Sequence, residues 1–155
     1  MPTLLRLLYN MTQNHSTVNK LKQILRVTLS ILMVTVGVLH FAKPEPFVKI
    51  VPPYLPYPLE LVYISGFFEI LGGIGLLVPF VSRAAAWGLI ALFIAVFPAN
   101  INQAVNNISI EGIPHNQILY WVRLPFQAVL IAWAWWFTRK PESPPDNLDI
   151  SKSGV

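Results

Sequence analysis

Six polar side chains in this sequence stand inside or at the edge of long apolar runs, where an ionisable or amide group needs a partner, water or a ligand. Glu69 lies near the middle of LVYISGFFEILGGIGLLVP. A carboxylate at that depth is suited to relaying protons or holding a ligand, and equally to fixing helix packing as a paired or protonated group. Arg123, in WVRLPFQAVLIAWAW, keeps its charge in any setting and must face a carboxylate, carbonyls, water or an anion, unless it snorkels to the surface. Glu69 and Glu60 are its candidate partners. His40 closes the first apolar run, Asn100 and Asn102 follow Pro98 near the end of the third, and Glu60 opens the second. The two asparagines suit either a polar headgroup or the capping of a frayed helix end; His40 suits proton handling or a structural role at the interface.

Several chemistries are excluded or lack their residues. The chain has no cysteine, so it forms neither a disulfide nor a thiolate metal site and cannot run thiol–disulfide exchange itself. A metal or haem site at His40 would need further ligands at similar depth, and only His115 is available, so no metal is expected. There is no Gly-rich phosphate loop and no nucleophile elbow. The formal charge of +4 comes from basic residues flanking apolar runs, without the basic and aromatic interleaving of a nucleic-acid surface, so no nucleic-acid partner is expected.

The elements that must position these residues are membrane spans. Of 155 residues, 54% are apolar and 12% charged, and the mean hydropathy is +0.55, a balance that points to a lipid rather than an aqueous surrounding. Hydropathy gives four runs of roughly the 20 residues that a span requires, at about 21–41, 59–78, 84–105 and 118–138. Continuous apolar runs without period-two alternation are helices rather than barrel strands. The expected fold is therefore an all-α bundle of four transmembrane helices, occupying residues 21–140 as one domain. Residues 1–20 form a polar tail without a cleaved signal peptide, with either Met1 or Met11 suited to be the start. The proline-rich segment 141–155 is a disordered tail.

Lys20, Lys22 and Arg26, then Arg83, then Arg139 and Lys140 flank one side of these spans, whereas Lys43 and Lys49 alone flank the other. The positive-inside rule then places both termini in the cytoplasm, and the plasma membrane is the expected location. Small residues suggest where helices approach closely: Gly66 and Gly73 share a face with Glu69, and Ala84, Gly88, Ala91 and Ala95 form a stripe on the third span. Pro98 should kink that span and free a carbonyl near Ile94. His40, Glu60, Asn100, Asn102 and Arg123 then fall in the outer half of the bundle with Glu69 below them, as polar groups converge when a bundle builds a site.

Four strings, GVLHFAKPEPFVKIVPPYLPYP, LVYISGFFEILGGIGLLVP, GLIALFIAVFPANINQA and WVRLPFQAVLIAWAW, resemble in order the DoxX family of membrane proteins across most of Gly37 to Trp135. The resemblance implies a four-helix membrane fold and singles out His40, Pro44, Phe47, Gly66, Glu69, Pro98, Asn100, Trp121, Arg123 and Pro125. It implies an accessory component of a membrane redox or stress-response system that binds a partner subunit, a further copy of itself or a lipid-soluble ligand, more readily than an enzyme in its own right. Two alternatives stand beside it. One is a quinone-linked oxidoreductase subunit, in which His40 or Glu69 handles protons and Arg123 orients an anion or a quinone carbonyl; no other cofactor is evident. The other is a small transporter or channel, for which four spans without an inverted repeat offer little material.

Overall fold

A computed structural model describes residues 2–109 and 116–139, with side chains from Thr17 onward. The described residues form five helices: α1 (Pro2–Ala42), α2 (Glu45–Ile50), α3 (Pro58–Leu77), α4 (Ser82–Val105) and α5 (Gln117–Thr138). Four of them, with α1 counted over Thr17–Ala42, are long and apolar enough to cross a membrane. Between 17% and 39% of each apolar stretch is buried within the bundle, so most of the apolar surface faces outward. That surface suits hydrocarbon as its solvent.

Two elements differ from the sequence expectation. Helix α1 starts at Pro2, because nothing between that proline and Gly37 breaks a helix. Helix α2 is the second difference. Pro44 sits at its N-cap with Glu45 in the first turn and Lys49 in the last, the charge order that suits the helix dipole. Pro52 then holds Val51 extended and ends it. Six residues are too few to register as a span. The His115 and 141–155 readings lie outside the described residues.

The long helices pack in the order α1, α3, α4, α5. Backbone contact on glycine joins the first pair: a Cβ on Gly66 would lie 2.6 Å from His40 Cβ, one on Gly37 2.7 Å from the Gly66 carbonyl, and one on Gly73 2.9 Å from the Ser30 carbonyl. The Ser30 hydroxyl donates across the same seam to the Gly73 carbonyl at 2.5 Å. On the opposite side of α3, Gly72 receives Leu89 and Gly75 receives Ala85 of α4. The stripe Ala84, Gly88, Ala91 and Ala95 faces away from these contacts; all four are exposed and Gly88 meets open space. Leu89 and Phe93, with Ala85 and Ala86, make the packed face of α4 in place of that stripe.

The apolar core collects at one end of the bundle, where Leu29, Met33, Leu76, Leu89, Phe93 and Phe137 come together from all four long helices. There Arg83 Nε donates to the Thr138 carbonyl at 3.1 Å, tying α4 to α5. The other end, which carries α2, the C-terminus of α1 and the N-terminus of α5, holds the buried ionisable and amide side chains His40, Glu69, Asn100, Gln103 and Gln127.

Candidate functional site

At the α2 end, four helices each contribute one ionisable or amide side chain to a single cavity of about 370 Å³: His40 from α1, Glu69 from α3, Asn100 from α4 and Arg123 from α5, with the hydroxyl residue Ser65 of α3 also in the wall. The rest of the wall is largely apolar, with Val36, Val62 and Leu92 on the long helices and Phe47 and Ile50 from α2. Gly66 sets this geometry, since its missing side chain lets α3 press against His40 and brings Glu69, one turn further on, level with the imidazole.

His40 Nδ1 lies 3.2 Å from Glu69 Oε2 and 2.8 Å from the carbonyl of Val36. One N–H cannot serve both acceptors well, and the carbonyl is the nearer. Glu69 Oε2 is accordingly buried without a hydrogen-bond partner among the described residues, although only 7% of the residue is exposed. A carboxyl oxygen in that position carries an unmet demand for a donor or for a proton of its own. Phe47 of α2 stacks on the imidazole with ring centroids 3.8 Å apart, closing the site over His40.

Arg123 does not pair directly with Glu69: no ion pair within 4.0 Å joins them, and Arg123 Nη1 donates instead to Gln103 Oε1 at 3.0 Å. Gln103 is almost wholly buried and holds the start of the α4–α5 connection through the backbone and side-chain bonds it shares with Ile108. Asn100 donates to Gln127, and Gln127 donates to the carbonyl of Phe93. That carbonyl is one residue before the Ile94 carbonyl that Pro98 deprives of its helical donor, so Gln127 stitches the turn of α4 before Pro98 to α5.

Asn102 and Glu60 stand apart from the cavity. Asn102 donates to the carbonyl of Ile50 at 3.0 Å and accepts from Asn106 at 2.6 Å, which ties α2 down on α4. Glu60 is exposed in the first turn of α3. Gln103 and Gln127, which complete the polar network, carry no formal charge and match no motif; the signal available in the sequence was the i, i+4 spacing of Gln127 from Arg123 and a glutamine one turn beyond Asn100.

The cavity opens between α3 and α4. The two helices are in tight contact near Gly72 and Gly75, close to the loop that joins them. At the α2 end Leu61, Ile64 and Ala95 both line the cavity and face outward. Among the described residues no group of three or more metal-ligating side chains occurs. The arrangement can therefore hold a mainly apolar molecule by its body and receive a polar end against an imidazole, a carboxyl, an amide and a guanidinium.

A family model described as Domain of unknown function (DUF8561) matches residues 29–138, which include every polar group of the cavity. No curated protein and no solved structure matches the chain.

Proposed function

The chain belongs to the DUF8561 family, and from that premise we propose that it is a DoxX-like membrane protein whose α2-end cavity retains a lipid-soluble ligand with a polar head. In this reading it acts as an accessory component of a membrane redox or stress-response system and has no turnover of its own. The observation that carries the proposal is the convergence of His40, Glu69, Asn100 and Arg123, one from each long helix, on an apolar cavity with an opening between α3 and α4. Packing alone gives no reason to gather four such groups, three of them buried and Arg123 half-buried, and Glu69 Oε2 remains without a hydrogen-bond donor among the described residues. A head that both accepts from Arg123 and approaches Glu69 would complete the set.

The orientation belongs to the same proposal. With both termini in the cytoplasm the cavity occupies the outer half of the plasma membrane, as the excess of Lys and Arg at the opposite end supports. The absence of native cysteine makes this directly measurable: a cysteine placed at exposed Tyr54 would react with an impermeant maleimide on intact cells, and one placed at Ser151 only after permeabilisation.

The contact between His40 and Glu69 favours one further reading, a quinone-linked oxidoreductase subunit, because a quinone accepts protons along with electrons and these two side chains can pass a proton between them. Native mass spectrometry with an absorption spectrum of the gently solubilised protein separates the readings. A retained non-redox amphiphile supports the accessory role, a retained quinone supports the second reading, and a protein that carries bulk lipid only overturns both.

A further inference from the structure

The end of the bundle remote from the cavity has a groove of its own. It lies between α1 and α5, has a volume of about 530 Å³, and is floored by Leu25, Val129 and Ala132 and edged by Trp133, Trp135 and Arg139. Helices α1 and α5 are the outermost members of the α1, α3, α4, α5 order, so their facing surfaces are left unfilled where the ring of helices would close.

Among the described residues, the charges beside the groove are all positive. The Arg139 guanidinium lies 4.0 Å over the ring of Trp135 and that of Arg26 lies 5.5 Å from the ring of Phe137, so both are braced by aromatic faces. Lys22, one turn before Arg26 on α1, stands within electrostatic reach of both. The described acidic residues, Glu45, Glu60 and Glu69, all belong to the other end of the molecule. Two donors, Arg26 Nε and Trp133 Nε1, have no hydrogen-bond partner among the described residues. Three cations held together without a counter-charge repel one another, and a shared anion relieves that repulsion.

We propose that this groove binds an anionic phospholipid, with its phosphodiester among Lys22, Arg26 and Arg139 and an acyl chain along Leu25, Val129 and Ala132. Charge complementarity and a continuous apolar floor select such a lipid over a soluble anion, which would leave the floor bare, and over a zwitterionic lipid, whose own cation would meet the three basic side chains. The tryptophans at the rim are the side chains that favour the headgroup level of a bilayer.

The test uses the full chain in vesicles, on a Trp87→Phe, Trp121→Phe background that leaves Trp133, Trp135 and Trp136 as reporters. Their fluorescence is quenched by brominated phosphatidylglycerol or brominated phosphatidylcholine mixed into unlabelled phosphatidylcholine. The expected result is severalfold stronger quenching by the anionic lipid, falling by about fivefold in apparent affinity for each of Lys22→Gln, Arg26→Gln and Arg139→Gln, and unchanged in Lys20→Gln, which lies off the groove. Equal quenching by the two lipids overturns the proposal. So does an equal loss in Lys20→Gln, which would mean diffuse surface attraction. The acidic residues Glu142, Asp146 and Asp149 offer another anion. A preference for phosphatidylglycerol that appears only when these three are neutralised in the full chain assigns the groove to the C-terminal segment and likewise overturns the lipid.

Discussion

The imidazole of His40 and the carboxyl of Glu69 meet at 3.2 Å across the seam between α1 and α3, yet the nearer acceptor for His40 Nδ1 is the Val36 carbonyl one turn back on its own helix, at 2.8 Å. The contact is therefore partial, and each side chain retains capacity that a ligand can use. A double-mutant cycle on His40→Gln and Glu69→Gln, read by unfolding in detergent, should show an interaction of roughly 0.5–3 kcal/mol, the range for residues in contact within one network. Strict additivity would mean that the two side chains are neighbours without energetic coupling.

Close approach at Gly66 makes a second prediction. A Cβ there meets His40 Cβ at 2.6 Å and the Gly37 carbonyl at 3.0 Å, and neither backbone nor Cβ can move without shifting a helix. Gly66→Ala should destabilise the bundle by about 1–3 kcal/mol, as overpacking does. Gly88→Ala, whose Cβ meets nothing within 4 Å, should be neutral or slightly stabilising on helix propensity alone. Thermal unfolding of the two variants in one detergent decides the matter, and a tolerant Gly66 would remove the packing account of how Glu69 is brought to His40.

Gln103 should behave as a positioning residue for Arg123, because its side-chain oxygen accepts from Arg123 Nη1 at 3.0 Å while its amide holds the start of the α4–α5 connection. Gln103→Leu leaves a part-buried guanidinium N–H without that partner. A stability loss of about 1–3 kcal/mol is expected, together with a loss of retained ligand that matches Arg123→Gln, whereas Gln103→Glu, which keeps an acceptor for Arg123, should recover retention. Ligand content per protein, measured by mass spectrometry, separates this role from a purely structural one, in which stability would fall and retention would not.

Helix α2 closes the cavity by two contacts, the stack of Phe47 on His40 and the bond from Asn102 to the Ile50 carbonyl. Asn102→Ala removes the second. In a chain with no native cysteine, a single Ser65→Cys in the cavity wall reports access cleanly. Its reaction with a membrane-permeant maleimide should be severalfold faster in the Asn102→Ala background. An unchanged rate would show that α2 is held by its apolar contacts alone.

The legibility of this molecule from sequence divides along physical lines. The existence of four helices long and apolar enough to span a membrane follows from hydropathy, and the bounds expected for α3, α4 and α5 lie within two residues of those in the structure, because Pro58, Pro79 and Arg139 mark chain positions where an apolar helix ends or starts. Glu69, His40, Asn100 and Arg123 stood out because charge and amide groups are costly in lipid. What composition and spacing did not carry was direction. The small stripe through Gly88 looks like a packing face, but the helix turns Leu89 and Phe93 inward instead. Asn102, two residues from Asn100, is rotated about 200° around α4 and bonds to α2 rather than lining the cavity. Gln103 and Gln127 complete the polar network, but an uncharged amide on an apolar run gives little contrast in the sequence.

The measurement that bears most directly on the central claim is the amount of small molecule retained per protein by the wild type and by Ala99→Phe, which narrows the cavity with an apolar ring and leaves His40, Glu69, Asn100 and Arg123 in place. Native mass spectrometry after gentle solubilisation should find a defined ligand on the wild type and little or none on Ala99→Phe, with both proteins folded. The same ligand content in both, or a wild type that carries nothing but bulk lipid, would contradict the assignment of this cavity as a binding site.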